Sequence, residues 1–187
     1  MTFDFSEFKN KKIIVTGSST GIGFETGVEF LNLGANVIFH GNQSINDLET
    51  RIKAKSQSQK FKIFKSDFTD LSQVDNFMNN AINYLNGLDI LVNNAGTMVG
   101  RYQLETISEK DFLKIFDLNA KSAYFATKSA CTIFKKQNYG NIINVSTISA
   151  RTGGSAGSSV YAASKAFVSG ITRSLVSELS PLSLIHI

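Results

Sequence analysis

The sequence contains one cysteine, one proline and no tryptophan in 187 residues. A single cysteine, Cys131, excludes an internal disulfide and is typical of a small core residue in a protein of a reducing compartment. No apolar run approaches the about 18 residues needed to span a bilayer. Residues 1–10 carry Asp4 and Glu7 and lack the basic and then apolar layout of a signal peptide. We therefore expect a cytoplasmic protein.

Charge of one sign is also scarce, since the formal net charge is only +4 and no dense block of lysine and arginine accompanies it. This pattern gives little support to a nucleic-acid or membrane-surface partner, and we expect neither. The chain is 42% hydrophobic and 18% charged, which excludes a disordered protein and is typical of one globular domain. We expect that domain to occupy residues 1–181.

Short apolar runs alternate with longer amphipathic stretches along the chain. Strands are predicted over 12–16, 36–40, 61–64, 88–92 and 141–145, and helices over 21–33, 46–56, 71–85, 108–136 and 161–179. Apolar strands separated by helices are typical of a parallel sheet that is covered on both faces. With right-handed crossovers, this order predicts a three-layer α/β/α fold, a Rossmann-type doubly wound sheet. The glycine- and serine-rich residues 153–159 are predicted to be a loop.

The first predicted strand runs directly into a glycine-rich turn, Thr16 to Gly23, that opens the first helix. Glycines let the backbone turn sharply and approach a pyrophosphate, and a helix N-terminus supplies free N–H groups. The spacing of Gly17, Gly21 and Gly23 is G-x3-G-x-G, which differs from G-x-G-x-x-G and lacks the lysine of a P-loop. The turn favours dinucleotide binding over an ordinary connection between a strand and a helix.

A tyrosine and a lysine, Tyr161 and Lys165, are spaced i, i+4 in the last predicted helix and therefore share one helix face. A tyrosine has an ordinary pKa of about 10, which must fall by about 2–3 units for acid–base chemistry near neutral pH. A neighbouring ammonium and the positive ring of an oxidised nicotinamide are perturbations of that kind. An isolated tyrosine–lysine pair with this spacing usually has no catalytic function. The evidence for a catalytic role therefore comes from the motifs around the pair.

Four motifs in order resemble those of the short-chain dehydrogenase/reductase family. Residues 16–23 are similar to its T-G-x3-G-x-G motif, residues 93–96 to N-N-A-G and residues 161–165 to Y-x3-K, and Asn119 falls at its helix asparagine. The likeness runs from about residue 11 to residue 180 and extends to the 3-oxoacyl-[acyl-carrier-protein] reductases. It implies an NAD(P)-dependent oxidoreductase that transfers hydride between a nicotinamide and a carbonyl or secondary alcohol of a small molecule, with reduction of a 3-oxoacyl thioester as one candidate.

The resemblance also implies catalytic roles for individual residues. Tyr161 would exchange a proton with the substrate oxygen, and Lys165 would make this phenol more acidic and contact the nicotinamide ribose. Asn119 would hold a water in a proton relay, or is simply a satisfied polar residue of its helix. Thr147 falls where the family has the second serine of a Ser-Ser pair, so that its hydroxyl would polarise the substrate oxygen. Two nearby hydroxyls are alternatives to it: Ser146 and Ser149.

Residues that follow the ends of the first four strands, together with the catalytic pair, would bind the coenzyme. The implied set is Thr16, Gly17, Ser19, Thr20, Gly21, Ile22, Gly23, Asn42, Asp67, Phe68, Asn93, Ala95, Gly96, Tyr161 and Lys165. In the family, an acid at the position of Asp67 contacts the adenine, although a turn cap is an alternative role for it. Asn93, Ala95 and Gly96 would pass beneath the coenzyme ribose, where small residues allow a close approach. No metal site is expected.

The end of the second strand bears on which nicotinamide coenzyme is bound. An Asp or Glu there would select NAD, and residues 39–44 contain neither. No arginine occupies that turn, and Thr20 stands where some NADP-dependent relatives carry one. Asn42 and Ser44 would hydrogen-bond a 2′-phosphate, and His40 would add charge when protonated, unless it is a strand-end residue without a coenzyme role. We expect NADP, with NAD as the alternative.

The resemblance further implies that the chain is C-terminally truncated after the helix that carries Tyr161 and Lys165. The family continues with a sixth strand and with helices that cover the substrate. Residues 182–187 do not resemble that strand, and we expect a non-native tail in which His186 has no function. Ile142, Ile143 and Val145 would then form an unpaired apolar edge, and the fragment would bind and turn over poorly.

Two other functions stay open. One is a dinucleotide-binding protein without catalysis, such as a sensor. The other is an interaction module built on the predicted helices 108–136 and 161–179, which pair between subunits in the family. We therefore expect a homo-oligomer, a dimer or a tetramer.

Overall fold

A parallel sheet of six strands lies at the centre of the part of the chain that the structure describes. The computed structural model describes residues 5–43, 45–179 and 185–186. Every neighbouring pair of strands is parallel, and their spatial order is β3-β2-β1-β4-β5-β6. The strands are β1 (Lys12–Val15), β2 (Asn36–Gly41), β3 (Phe61–Lys65), β4 (Ile90–Asn93), β5 (Asn141–Asn144) and β6 (Ile185–His186).

Helices connect these strands and cover both faces of the sheet. They are α1 (Gly21–Asn32), α2 (Leu48–Lys55), α3 (Leu71–Leu85), α4 (Glu109–Phe116), α5 (Ser122–Gln137), α6 (Ser149–Thr152) and α7 (Ser159–Leu179). A short 3-10 helix, Ser6–Phe8, precedes β1, and a π-helical segment, Asp117–Lys121, joins α4 to α5. The predicted helix over 108–136 is therefore a nearly continuous helical stretch that contains one π turn.

Each face of the sheet has its own hydrophobic core, because alternate residues of a strand point to opposite faces. On one face, Ile14, Ile38 and Leu91 pack against α3 and α5. On the other face, Ile13 and Phe39 pack against α1 and α2. The predicted three-layer α/β/α, Rossmann-type doubly wound sheet is confirmed.

The direction in which the sheet is wound reverses between β1 and β4, which are neighbours in space. Crossovers after β1 and β2 lead to one side, and the crossover after β3 returns to β4 on the other side. Ligands of open α/β sheets bind at the carboxyl ends of the strands where this reversal occurs. The glycine-rich turn after β1 and the N-N-A-G residues after β4 both lie there.

The predicted and observed elements differ mainly at their ends. The bounds of α3 match the prediction because Asp70 accepts a hydrogen bond from Ser72 N at 2.9 Å at its start and Asn86 adopts a left-handed φ of 53° at its end. The predicted loop over 153–159 is observed only to residue 158, since Ser159 already belongs to α7. The short helix α6 was not predicted, because its four residues carry no amphipathic repeat.

The prediction of an unpaired edge at β5 was wrong. β5 pairs in parallel with β6, in the register Ile142↔Ile185 and Ile143↔His186. The backbone of residues 185–186 thus occupies the edge that was expected to be open. The other residues of the expected tail lie outside the described residues, as does Ser44.

Within the described ranges, no helix has the length and apolar character to cross a membrane. In the same ranges no group of His, Cys, Asp and Glu side chains has the arrangement of a metal site. Cys131 is partly buried on α5, and burial raises the pKa of its thiol. This agrees with a core thiol rather than a reactive one.

Candidate active site and coenzyme cleft

Two glycines shape the turn between β1 and α1. Gly17 and Gly21 have φ angles of +61° and +58°, in the left-handed region that favours glycine. A Cβ atom at Gly17 would lie 2.6 Å from Ala95 Cα, so the two backbones meet at a distance that only glycine permits. Thr20 caps α1 in an extended conformation, and Ile22 in the first turn is 70% exposed. The N-terminus of α1 therefore faces an open space.

Thr16 links this turn to the N-N-A-G residues. Its Oγ1 accepts hydrogen bonds from Asn94 N and Ala95 N, both at 3.0 Å. The Asn94 amide returns bonds to the carbonyl oxygens of Thr16 and Gly17, both at 2.9 Å. Thr16 is only 1% exposed, so its side chain supports the floor of the cleft from below. Gly23, which would overlap Asn94 if it carried a Cβ, is part of the same support.

The side chain of Asn93 points into the core rather than into the cleft. Its Nδ2 donates to Thr127 Oγ1 at 2.9 Å and to Asn144 Oδ1 at 2.8 Å. Asn144 in turn donates to Thr172 Oγ1 at 2.9 Å. This buried chain ties β4 and β5 to α5 and α7. The Asn93 side chain therefore does not lie beneath a coenzyme ribose, where it had been expected.

A cleft of about 420 Å³ opens between these elements. Seven predicted residues line it: Gly17, Ser19, Asn42, Asp67, Phe68, Ala95 and Gly96. His40, which was predicted to add charge near the coenzyme, also lines it. Further lining residues were not predicted: Gly41, Gln43, Ser66, Thr69, Thr97, Val99, Lys114 and Leu118. Most of these residues follow the end of a strand. Their position after a predicted strand could have identified them from the sequence. Phe68 is only 2% exposed, so little of its ring reaches the cleft.

Asp67 lies at the β3 side of the cleft as a structured carboxylate. Its Oδ1 accepts from Thr69 N at 2.9 Å and from Thr69 Oγ1 at 2.8 Å, and the Asn42 side chain also donates to this carboxyl group. Partial burial opposes ionisation, but these hydrogen bonds outweigh it and lower the pKa. Asp67 is thus both a turn cap and a negative group at the cleft, so the two predicted roles are compatible.

The prediction that His40 adds positive charge to the cleft was wrong. Its imidazole is 3% exposed and stacks on Phe68, with 3.9 Å between the ring centroids. Burial lowers the pKa of His40 to about 4, so the ring is neutral at physiological pH. The sequence showed a histidine at a strand end, but the aromatic side chains that bury it come from other elements.

Tyr161 and Lys165 are not among the residues that line this cleft. Lys165 is a buried amine on α7 with 5% of its surface exposed. Its Nζ donates to Val145 O at 3.0 Å, and burial lowers its pKa. A Cβ atom at Gly96 would lie 3.0 Å from this Nζ. Gly96 therefore lies between the cleft and the Lys165 amine. Tyr161 lies one helical turn before Lys165 and is half-buried.

Asn119 sits fully buried in the π-helical segment. Its Nδ2 donates to Thr97 O and Ile115 O, both at 2.8 Å, while Oδ1 has no hydrogen-bond partner among the described residues. That oxygen borders Gly96, as Lys165 Nζ does. The alternative role of Asn119, a polar residue with all its hydrogen bonds made within the fold, therefore holds for its Nδ2 but not for its Oδ1.

Thr147 and Ser146 line a neighbouring hollow beside α6 and α7, not the cleft itself. Ser146 Oγ is engaged with Ser169 Oγ at 2.9 Å and with Lys165 O at 3.3 Å. Thr147 Oγ1 accepts from Ser149 N at 3.3 Å, which leaves its hydroxyl hydrogen available. Ser146 is therefore the weaker candidate for a substrate contact.

The reversal of the sheet, the glycine turn and the cleft define a dinucleotide-binding α/β protein. A family model described as short chain dehydrogenase matches residues 11–187. The chain belongs to the short-chain dehydrogenase family.

Individual relatives agree with this. The chain is 32% identical over 166 residues to the hydroxynaphthalene reductase-like protein Arp2 of Metarhizium acridum (strain CQMa 102), covering 88% of this chain and 61% of the relative. It is 34% identical over 181 residues to the 3alpha-hydroxysteroid dehydrogenase of Mediterraneibacter gnavus, covering 94% and 70%. The crystal structure of the NADH-dependent reductase A1-R′ complexed with NAD superposes with a TM-score of 0.89 at 31% identity, covering 97% and 79%. The chain thus spans 61% of the length of the first of these relatives.

Proposed function

We propose that this protein is an NAD(P)-dependent oxidoreductase that interconverts a carbonyl and a secondary alcohol. The observation that carries the proposal is the position of Gly96. Gly96 lines the cleft that begins at the glycine turn, and a Cβ atom on it would lie 3.0 Å from the buried amine of Lys165, one helical turn from a tyrosine. When bound, a nicotinamide coenzyme supplies or accepts the hydride.

The residues of the cleft fit such a coenzyme. Gly17 and Gly96 line the cleft with backbone alone, and a Cβ atom at either position would overlap neighbouring protein atoms. The first turn of α1 offers backbone N–H groups and the positive end of a helix dipole to a pyrophosphate. Thr20, Gly21 and Ile22, at the start of α1, would supply these groups. Ser19, Asn42 and Asp67 would hold the adenosine half, and Ala95 and Gly96 would lie beneath the nicotinamide half.

The catalytic chemistry rests on four side chains. Tyr161 gives a proton to the substrate oxygen in reduction and takes it back in oxidation. The Lys165 ammonium stabilises the phenolate form by its charge, which acts strongly because this amine is buried. The Thr147 hydroxyl donates to the substrate oxygen, and the unpaired Oδ1 of Asn119 holds a water that replenishes the proton.

The substitution Tyr161→Phe tests this function. Reduction by NADPH should fall by about 10²–10⁴-fold because the proton donor is lost, whereas NADPH binding should be unchanged. The control is Tyr84→Phe, which removes an exposed hydroxyl from α3. Substrates to be assayed include a 3-oxoacyl thioester, reduced by NADPH, and a 3α-hydroxysteroid, oxidised by NADP⁺ in the reverse direction. Equal turnover with Phe at position 161 would contradict catalysis and favour a dinucleotide sensor.

NADP is the coenzyme that we propose, with NAD as the alternative. No acid follows β2, and the Arg51 guanidinium reaches the turn from α2, where it donates to Ser19 O at 2.5 Å. Arg51 also lies 3.7 Å from the Asp47 carboxylate, which offsets part of its charge. With His40 neutral, Arg51 is the cation that we propose to face a 2′-phosphate beside Ser19 and Asn42.

Dissociation constants for NADPH and NADH test the coenzyme preference. Arg51→Ala should weaken NADPH binding by about tenfold, the scale of one hydrogen bond to a charged group, and leave NADH binding unchanged. Lys53→Ala is the matched control, because Lys53 lies on the same helix but pairs with Glu49 at 2.6 Å. Equal loss for both coenzymes would contradict a role at the 2′-phosphate.

We further propose a homo-oligomer in the cytoplasm. Three exposed aromatic side chains, Phe112, Tyr124 and Phe167, form a patch on α4, α5 and α7 together with the half-buried Phe116. An apolar patch of this kind on a folded domain marks an interaction surface. A second copy of the chain, docked through these helices, would cover it. The single cysteine of the sequence, Cys131, supports a reducing compartment.

A further inference from the structure

His40 contacts the coenzyme turn through both its backbone and its side chain. Its main chain exchanges hydrogen bonds with Ser18, since Ser18 N donates to His40 O and His40 N donates to Ser18 Oγ, both at 2.8 Å. Its imidazole Nδ1 accepts from Gly17 N at 2.9 Å. On the far side of the ring, Nε2 lies 3.1 Å from Ser66 O. The ring therefore bridges the turn after β1 and the end of β3.

These partners fix the proton on the imidazole. Gly17 N–H can only donate and Ser66 O can only accept, so Nδ1 carries no hydrogen and Nε2 carries one. A second proton on Nδ1 would face the Gly17 N–H and break that contact. The burial that keeps the ring neutral is thus matched by a hydrogen-bond pattern that only the neutral ring satisfies.

The contact with Gly17 falls on the residue that most constrains the turn. Gly17 has a left-handed φ and a backbone that touches Ala95, so its peptide plane has little freedom. The imidazole takes up the Gly17 N–H, which would otherwise be an unsatisfied donor at the cleft. Stacking on Phe68 and a 4.8 Å centroid separation from Phe77 hold the ring in position.

We propose that His40 is a positioning residue for the coenzyme, in which a neutral imidazole holds the Gly17 peptide in the orientation that the bound dinucleotide requires. This inference rests on the proposed function. In this role His40 orients the backbone of the turn, whereas its sequence position had predicted a direct charge contact with the coenzyme.

Three substitutions separate this task from a general role in folding. In His40→Asn the amide oxygen stands where Nδ1 was and can accept from Gly17 N, while the bond to Ser66 is lost. In His40→Gln the amide nitrogen stands near the former Nε2 and can donate to Ser66 O, while the bond to Gly17 is lost. His40→Phe keeps the aromatic stack and loses both bonds.

We expect the dissociation constant of NADPH, measured by the fluorescence of the coenzyme, to rise about ten- to hundredfold in His40→Gln and His40→Phe. In His40→Asn it should stay within about threefold of the unmodified protein. The kcat at saturating NADPH should change little in any variant that binds. In the unmodified protein, ¹⁵N spectra of the two histidines should show one neutral ring protonated on Nε2.

Equal NADPH affinity in the Asn and Gln variants would overturn the proposal, as would a His40 ring protonated on Nδ1. If the unmodified protein binds neither NADPH nor NADH, the proposed function itself fails. That outcome is distinct from one in which the unmodified protein binds and the variants do not differ from it.

Discussion

One methyl group added at Gly96 should disable the catalytic end of the cleft. Gly96 has a backbone conformation that alanine adopts without strain, because its φ is not positive. A Cβ atom there would overlap Asn119 Oδ1 and would lie 3.0 Å from Lys165 Nζ and 3.3 Å from Lys165 Cε. Gly96→Ala therefore acts through these two side chains alone.

Neither side chain is free to yield. The Asn119 amide is held by two hydrogen bonds of 2.8 Å, and Lys165 Nζ is held by Val145 O at 3.0 Å. Overpacking of a buried site costs about 1–3 kcal/mol of folding free energy. A displacement of about 1 Å at a catalytic group costs about a hundredfold in rate. We expect kcat to fall on that scale and the coenzyme dissociation constant to change less, because the turn at Gly17 is untouched.

A double-mutant cycle with Asn119→Ala isolates the cause. Removal of the Asn119 amide eliminates the overlap, so Gly96→Ala should destabilise that background by about 1–2 kcal/mol less than it destabilises the unmodified protein. Urea denaturation gives the four free energies of unfolding, and steady-state kinetics gives kcat. An equal loss of stability in both backgrounds, together with an unchanged kcat in the single variant, would refute the reasoning.

Three further predictions follow from burial and exposure. His40 has a folded pKa of about 4 against an ordinary 6.5, so the unfolded chain binds more protons between these values. The free energy of unfolding should fall by about 3 kcal/mol as the pH drops from about 6.5 to about 4, and urea denaturation should show no such fall in His40→Asn. Lys165 has a pKa lowered from 10.5 by burial, so its contribution to stability should rise with pH toward 10.5, a slope that Lys165→Met removes together with activity. Phe167→Asp should shift sedimentation toward the monomer, whereas Tyr84→Asp on the exposed face of α3 should not.

The framework of the fold was predictable because its signals are local. α3 could be placed from an aspartate before the helix and an asparagine after it, both of which act on adjacent backbone groups. β4 was predicted to begin at Leu88 but begins at Ile90, and the Asp89 side chain just before it accepts a hydrogen bond from Lys12 N at 2.7 Å. That contact joins residues distant in sequence, and nothing near Asp89 indicates it.

The site was predictable in position but not in the orientation of each side chain. The N-N-A-G motif placed Asn93 at the cleft, but its amide points inward because Thr127 Oγ1 and Asn144 Oδ1 accept hydrogen bonds from its Nδ2. His40 was placed correctly at a strand end, yet its charge state depends on Phe68 and Phe77, which belong to other elements. A motif fixes the backbone path, whereas the protonation and direction of a side chain depend on which residues the fold brings around it.

The two ends of the site, the coenzyme turn and the catalytic side chains, therefore depend on different physical effects. Substitutions at one end should have different consequences from substitutions at the other. At the coenzyme turn, the neutral His40 and the close approach of Gly17 set the shape of the backbone, so that substitutions there should change binding constants. At the other end, Lys165 has three N–H bonds and, among the described residues, one acceptor, Val145 O. The remaining donors and the charge act in a buried setting, where electrostatic terms are strong. Substitutions at Lys165 or Gly96 should therefore lower kcat more than they weaken binding, and a Lys165 variant that lost only coenzyme affinity would contradict this division.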